Sequence, residues 1–355
     1  MASSSSTLPR TSEREDEKLA NKETLSLEEK IVFLKCCLQR DLVVADLEWS
    51  LFVAALSSYK RDTVLRPFPP MFVAQQSNID TDSRDFKVLE QVVDGIPELK
   101  TLSSANVRHL LQSERSVELL YWCLKKPNFI LKLCDKDKFS IIKEKTKQQT
   151  PTLSPHYIFE VIHNEENNKR FEQRCGEQGL LYGYHGSQIE NFHSILNFGL
   201  QSHLSKNALF GEGTYLSSEL AISLQYSPHG RGWENSILGD RLSCVAVCEM
   251  IDNPQWVRCQ TKESIKKLKR IGSRAKIAGS EGGEIPQTYY VVRNNDAIRL
   301  RYLLLYVDRT PKRNQSWLHR HKFLIFICLY GLLLLLIALY NSKSFWMYAR
   351  KYAAR

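Results

Sequence analysis

Two short stretches of the chain carry residue types that can do chemistry. The first is Tyr184-His185-Gly186-Ser187, at the end of the apolar run Leu180, Leu181, Tyr182. The second is Phe210-Gly211-Glu212-Gly213-Thr214-Tyr215-Leu216, a strand-like segment entered through glycines. Both read as strand ends that present polar groups at a pocket, an imidazole from one and a phenol from the other. Ser187 adds a hydroxyl that a hydrolase would use as nucleophile, but no G-x-S-x-G turn surrounds it, which weighs against that chemistry. The nine cysteines are odd in number and form no CxxC pair. Neither a disulfide framework nor a zinc site is indicated, no other ligand cluster is seen, and reduced thiols in a cytosol-facing domain are expected.

The elements that must position these groups follow from periodicity. Residues 1–25 are Ser-rich and then strongly charged, without an apolar signal region, and are expected to be disordered. Residues 26–126 read as a helical domain of about four helices. Ile31, Leu34 and Leu38 recur at helical spacing, and Leu42, Ala45, Trp49, Phe52 and Leu56 continue it beyond a possible cap at Asp41. Further helical patterns follow from Phe86 to Val93 and from Val107 to Leu124, with Trp49, Phe52 and Trp122 as core.

From residue 127 to 308 the texture changes to short apolar runs punctuated by Gly, Asn, Pro and Ser. Phe129–Leu133, Tyr157–Ile162, Leu180–Tyr184, Gly213–Ser217, Leu242–Met250, Tyr289–Val292 and Leu300–Val307 read as strands. Helices are expected at Ile189–Phe198 and at Ser217–Tyr226, the latter capped by Ser217 or Ser218. The helices do not alternate with strands as βαβ units require, so the fold class is α+β with an antiparallel or mixed sheet.

The formal charge of +10 does not mark a nucleic-acid surface. Nine basic and no acidic residues lie between Arg309 and Arg355, and 10 − 9 leaves +1 for residues 1 to 308. The excess brackets residues 323–340, 18 residues without a charge, long enough as a helix to cover about 27 Å. That suits a thin bilayer such as the endoplasmic reticulum. A basic linker over 309–322, a transmembrane helix over 323–340 and a short lumenal tail over 341–355 give a tail-anchored protein with its catalytic part in the cytosol. Arg313, Arg320 and Lys322 agree with that orientation. Arg350, Lys351 and Arg355 leave the mitochondrial outer membrane as the lesser alternative, and Trp346 and Tyr348 suit the far interface. A second basic cluster, Lys262 to Lys276, reads as a solvated helix or loop.

At His185-Gly186-Ser187 and Gly213-Thr214-Tyr215 the sequence resembles the ADP-ribosyltransferase domain of the poly(ADP-ribose) polymerase family. Ser223 and Tyr226 fall where that family places its carboxamide-binding serine and its stacking tyrosine. With the N-terminal helices and the C-terminal span, the chain resembles the tail-anchored, mono-ADP-ribosylating member of the family. The resemblance implies an NAD site in which NAD is consumed as substrate, with His185, Gly186, Ser187, Tyr215, Ser223 and Tyr226 binding it and His185, Tyr215 and Tyr289 as the catalytic positions. Gly186, lacking a Cβ, would let the nicotinamide amide approach its backbone. Ser223 would add a hydrogen bond, and Tyr215 and Tyr226 would sandwich the pyridinium ring. His185 would bond a ribose hydroxyl. No metal is implied.

Chain-extending members carry a glutamate on the third strand of the site. Here Thr288-Tyr289-Tyr290-Val291-Val292 puts Tyr289 at that position, with Tyr290 one residue out of register as the other possibility, and Glu281 and Glu284 on the preceding loop. A phenol with a pKa near 10 is a poor base at neutral pH, so one ADP-ribose unit per acceptor is expected. The resemblance further implies protein acceptors at the endoplasmic reticulum, including stress-sensing kinases of the unfolded protein response, and self-modification. A catalytically silent NAD-fold adaptor at a membrane is the alternative.

Overall fold

The computed structural model describes residues 25–74, 83–104, 107–111, 113–202, 213–261, 288–308, 322–341 and 347. The expected disordered N-terminus, the basic cluster Lys262–Lys276, Glu281, Glu284, the basic linker up to residue 321, Phe210 to Glu212, Trp346 and Tyr348 lie outside the described residues. Residues 1–308 form one compact unit and residues 309–355 another.

The helical region opens with α1 (Leu27–Arg40), started by a capping box in which Ser26 Oγ accepts from Glu29 N and Glu29 Oε2 accepts from Ser26 N. Asp41 closes α1 and opens α2 (Leu42–Leu56), its carboxylate accepting from Val44 N at 3.0 Å. Beyond the short α3 (Arg61–Val64) and the hairpin β1 (Val73–Ala74) and β2 (Ser83–Arg84) come α4 (Phe86–Asp94), α5 (Leu99–Ser104), α6 (Val107–Leu110) and α7 (Glu114–Leu124). The single helix expected over Val107–Leu124 is therefore two, because Ser113 accepts from Arg115 N and starts α7 afresh.

Helix α2 is buried on every side from Val44 to Leu56, and its faces serve different cores. Ala45, Trp49, Phe52, Val53 and Leu56 point into the helical core, with Trp49 and Phe52 stacked at 5.3 Å. Val44, Leu47, Leu51 and Ala54, spaced 3, 4 and 3 apart, join the core of the sheet domain. One helix thus welds the two regions together.

Among the described residues the second region is built on nine strands, every pair of them antiparallel, as the sequence pattern led us to expect. Its strands are β3 (Phe129–Cys134), β4 (Tyr157–His163), β5 (Leu180–Gly186), β6 (Thr214–Ser217), β7 (Gly230–Arg231), β8 (Arg241–Ile251), β9 (Val257–Thr261), β10 (Thr288–Val292) and β11 (Ile298–Val307). They lie in the order β3-β4-β11-β8-β5-β6-β10-β9, with β7 beside β8. Elements of this region that had not been expected are α8 (Lys138–Thr146), α9 (Glu165–Cys175), β7 and β9. Helix α9 buries only Phe171 and shows its pattern in charge instead, through the i,i+4 pairs Glu165–Lys169 and Glu166–Arg170.

Two expected helices are shifted. Ile189–Phe198 begins as a 3-10 turn, Ile189–Asn191, before α10 (Phe192–Phe198). Ser217 and Ser218 do not cap a helix: Ser217 ends β6, and α11 runs from Leu220 to Gln225 with Tyr226 just beyond it.

In the second unit, α12 spans Lys322–Asn341, and Phe326 to Leu336 expose their apolar side chains apart from Gly331. The unbroken run of described side chains there is 326–338, and over the described residues no helix is long and apolar enough to cross a membrane. All nine cysteines are free.

Candidate active site

Strand β5 delivers His185 and Gly186 at its C-terminal end, where it meets β6 through the pair Tyr184↔Ser217. The His185 ring lies against that neighbour, with Nδ1 2.9 Å from the Tyr215 carbonyl oxygen. A carbonyl only accepts, so Nδ1 carries the proton, and Nε2 of the neutral ring is left as an acceptor. Burial pushes the His185 pKa below its ordinary 6.5, only partly opposed by the bond to Tyr215, which favours this neutral form.

A Cβ on Gly186 would lie 1.9 Å from the Ser223 carbonyl oxygen and 3.0 Å from Tyr226 Cβ. The missing side chain makes room for α11, and brings Ser223 and Tyr226 against the end of β5. Gly213, at φ +149, enters β6 where a Cβ would strike Val291 at 2.7 Å, letting β6 lie close beside β10.

Ser223 is buried and its hydroxyl donates to the Tyr184 carbonyl at 3.0 Å, which pins α11 to β5. Its oxygen keeps lone pairs to accept with, so it can take a ligand N–H rather than supply a proton. Tyr226 is 56% exposed, an open aromatic face. Ser187 donates its N–H to Ser227 Oγ at 3.0 Å and accepts from Asn191 Nδ2 at 2.8 Å. Those bonds hold the turn after β5 in shape.

Register separates the two candidate tyrosines of the third strand. In the β6–β10 pairing Tyr215 opposes Val291 and Ser217 opposes Tyr289. Tyr215, Tyr289 and Val291 accordingly pack together on one face. Tyr290 points to the other, into the main core, within reach of a Cβ on Gly183. Tyr289 is 4% exposed, and its phenol is pushed up to about 12, first by burial and then by Tyr215, with Arg258 acting in the opposite direction.

Behind the site stands a support that the sequence did not disclose. Glu219, at the start of α11, is 4% exposed and has no basic partner within salt-bridge distance among the described residues. Its carboxylate accepts from Gln149 N and Thr150 N, both at 3.3 Å, and from the Thr150 hydroxyl. Nearby, Thr146 Oγ1 donates to Tyr184 Oη at 3.0 Å. The acidic residue at a helix start was the only local sign; its partners lie about 70 residues upstream. A recess of about 710 Å³ runs beside this loop, lined by residues 143–144 and 147–152. It reaches neither His185 nor Tyr215, so the hydrogen bonds, not this recess, locate the site.

Comparison with known proteins agrees with this geometry. Residues 136–307 match the poly(ADP-ribose) polymerase catalytic domain, and residues 36–124 match the ARTD15 N-terminal domain. Protein mono-ADP-ribosyltransferase PARP16 of Mus musculus is 45% identical over 316 residues, covering 86% of this chain and 93% of that protein. Its Homo sapiens counterpart is 45% identical over 312 residues with the same coverage. Protein mono-ADP-ribosyltransferase PARP8 of Mus musculus is 24% identical over 255 residues, 59% of this chain and 28% of that protein. With helical region and sheet domain both inside the longer matches, this chain belongs to the poly(ADP-ribose) polymerase family, as a protein mono-ADP-ribosyltransferase.

Proposed function

We propose that NAD binds where β5, β6, β10 and α11 converge, with His185, Gly186, Tyr215, Ser223, Tyr226 and Tyr289 as its walls. The observation that carries this reading is the pair of bonds His185 Nδ1–Tyr215 O and Ser223 Oγ–Tyr184 O, which lock those elements around one strand end. His185 Nε2 accepts from a ribose hydroxyl, the Ser223 oxygen accepts from the carboxamide N–H, and the Tyr226 ring stacks on nicotinamide. Ser187 contributes by shaping the turn rather than by attack. Transfer then consists of breaking the bond between C1′ of the ribose and the nicotinamide nitrogen, whose electron pair leaves with the ring, and bonding C1′ to an acceptor side chain. Orientation and fixed dipoles carry the rate. Incubating the full chain and its His185→Ala variant with labelled NAD tests this: label and nicotinamide release are lost in the variant. Equal labelling of both would overturn the site.

The protein acts, in this proposal, at the cytosolic face of the endoplasmic reticulum, anchored through residues 323–340. The support is the uncharged 18-residue run, its basic flanks and the exposed apolar side chains of α12. Its acceptors include itself and stress-sensing kinases of that membrane, a reading that rests on family resemblance. Removal of residues 323–355 should shift the protein from the membrane fraction to the supernatant. Retention of the truncated chain on membranes would rule the anchor out.

A further inference from the structure

We propose that Arg258 is the acceptor-side specificity residue of this enzyme, selecting an ionised carboxylate of the acceptor protein; the inference rests on the site assigned above. In the pairing of β9 with β10, Arg258 opposes Val291, and Val291 in turn opposes Tyr215 on β6. Directly paired residues share a face, so Arg258 stands on the same side of the sheet as Tyr215 and Tyr289, two strands from the first and diagonal to the second. Its charge reaches the Tyr289 phenol, where it partly offsets the effect of burial. Among the described residues the negative group closest in sequence, Asp252, acts on Tyr290 and Cys259, which belong to the opposite face.

Three features suit Arg258 to catching a mobile acceptor. It is exposed, and among the described residues it forms no ion pair. Among the described residues strand β9 ends the sheet order, the edge from which an incoming polypeptide would approach. And among the described residues the site offers nothing to deprotonate an acceptor: Tyr289 keeps its proton, and Nε2 of His185 is reserved for the ribose. An acceptor must then arrive already ionised, which at neutral pH means Asp or Glu rather than Ser or Lys. A guanidinium can hold one carboxylate oxygen and leave the other free. That free oxygen bonds to C1′ as the C1′–N bond breaks and its electron pair leaves with nicotinamide. The product is an ester, and no proton moves.

The test uses the full chain, its Arg258→Gln, Arg258→Lys and His185→Ala variants, and peptides identical except for a single Glu, Ser or Lys. Arg258→Gln is expected to raise the KM for the Glu peptide roughly tenfold, the worth of one charge-assisted hydrogen bond, while the KM for NAD stays as in the parent. Arg258→Lys recovers part of the loss. Unchanged transfer to the Glu peptide in Arg258→Gln would overturn the proposal. So would a rise in the KM for NAD matching the loss of transfer, which would assign Arg258 to the NAD pyrophosphate instead. Preference of the parent for the Ser or Lys peptide would overturn it as well. The His185→Ala variant reports on the site by itself: if it still releases nicotinamide, the site reading fails whatever Arg258 does.

Discussion

At the scale of the residue, the proposed site works by fixing protonation states. His185 is held neutral by burial, with its proton on Nδ1. Its folded pKa lies below 6.5, so the associated stability is present above the unfolded value and is lost as pH falls through the folded one. Transfer should therefore be flat through neutral pH and decline only on the acid side of 6.5, when Nε2 gains a proton and can no longer accept. Initial rates measured against pH at saturating NAD check this; a decline beginning above pH 7 would contradict it. Tyr289, on the same face as Tyr215, is a buried phenol pushed up to about 12. Because it is not a base, Tyr289→Phe should reduce single-unit transfer by no more than about fivefold, the loss of one ordinary hydrogen bond. A drop of several hundredfold would mean that the hydroxyl takes part in the chemistry.

At the scale of the element, α11 has to be placed against β5 within a fraction of an ångström. Gly186 permits the approach, Ser223 fastens it, and Glu219 ties the start of the helix to the loop at Gln149 and Thr150. Replacing Glu219 by Gln keeps the size but turns an amide N–H towards backbone N–H groups, leaving a buried donor unsatisfied at a cost of about 1–3 kcal/mol. We expect Glu219→Gln to raise the KM for NAD through displacement of Ser223 and Tyr226, in addition to lowering the melting temperature. A lower melting temperature with an unchanged KM would restrict Glu219 to a structural role. Glu219→Asp, which restores the charge, should recover part of the KM effect.

At the scale of the whole molecule, the helical region is not a detachable module. Val44, Leu47, Leu51 and Ala54 of α2 lie in the same core as Phe129, Phe159 and Leu303 of the sheet. Asp46 reaches across to accept from Ser236 Oγ and from Ile237 N at 3.2 Å, and Trp49 meets Trp233 edge-on at 6.2 Å. A fragment of residues 127–308 would expose the apolar surface that α2 covers. It should be insoluble or aggregate on expression, whereas residues 25–308 should unfold in one cooperative transition followed by circular dichroism. A soluble, active 127–308 fragment would refute the shared core.

The sequence by itself determined what depends on neighbours along the chain. Alternating apolar runs marked seven of the strands, helical spacing marked α1 and α2 with Asp41 between them, and the His-Gly-Ser and Tyr215 motifs with Ser223 and Tyr226 pointed to the family. Tyr289 was legible as a departure from a motif. Helix α9 was missed because its regularity lies in charge pairs on an exposed surface rather than in burial. Only the tertiary structure puts Tyr289 and not Tyr290 on the face of Tyr215, because a shift of one residue reverses every side chain on a strand and the register is set by the partner strand. It likewise showed that Gly186 lets α11 close on β5, that Glu219 ties the start of α11 to Gln149 and Thr150, and that Arg258 shares a face with Tyr215. Each of those depends on groups far apart in the chain, and hydrogen bonding and packing across such separations leave no local period for a sequence to show.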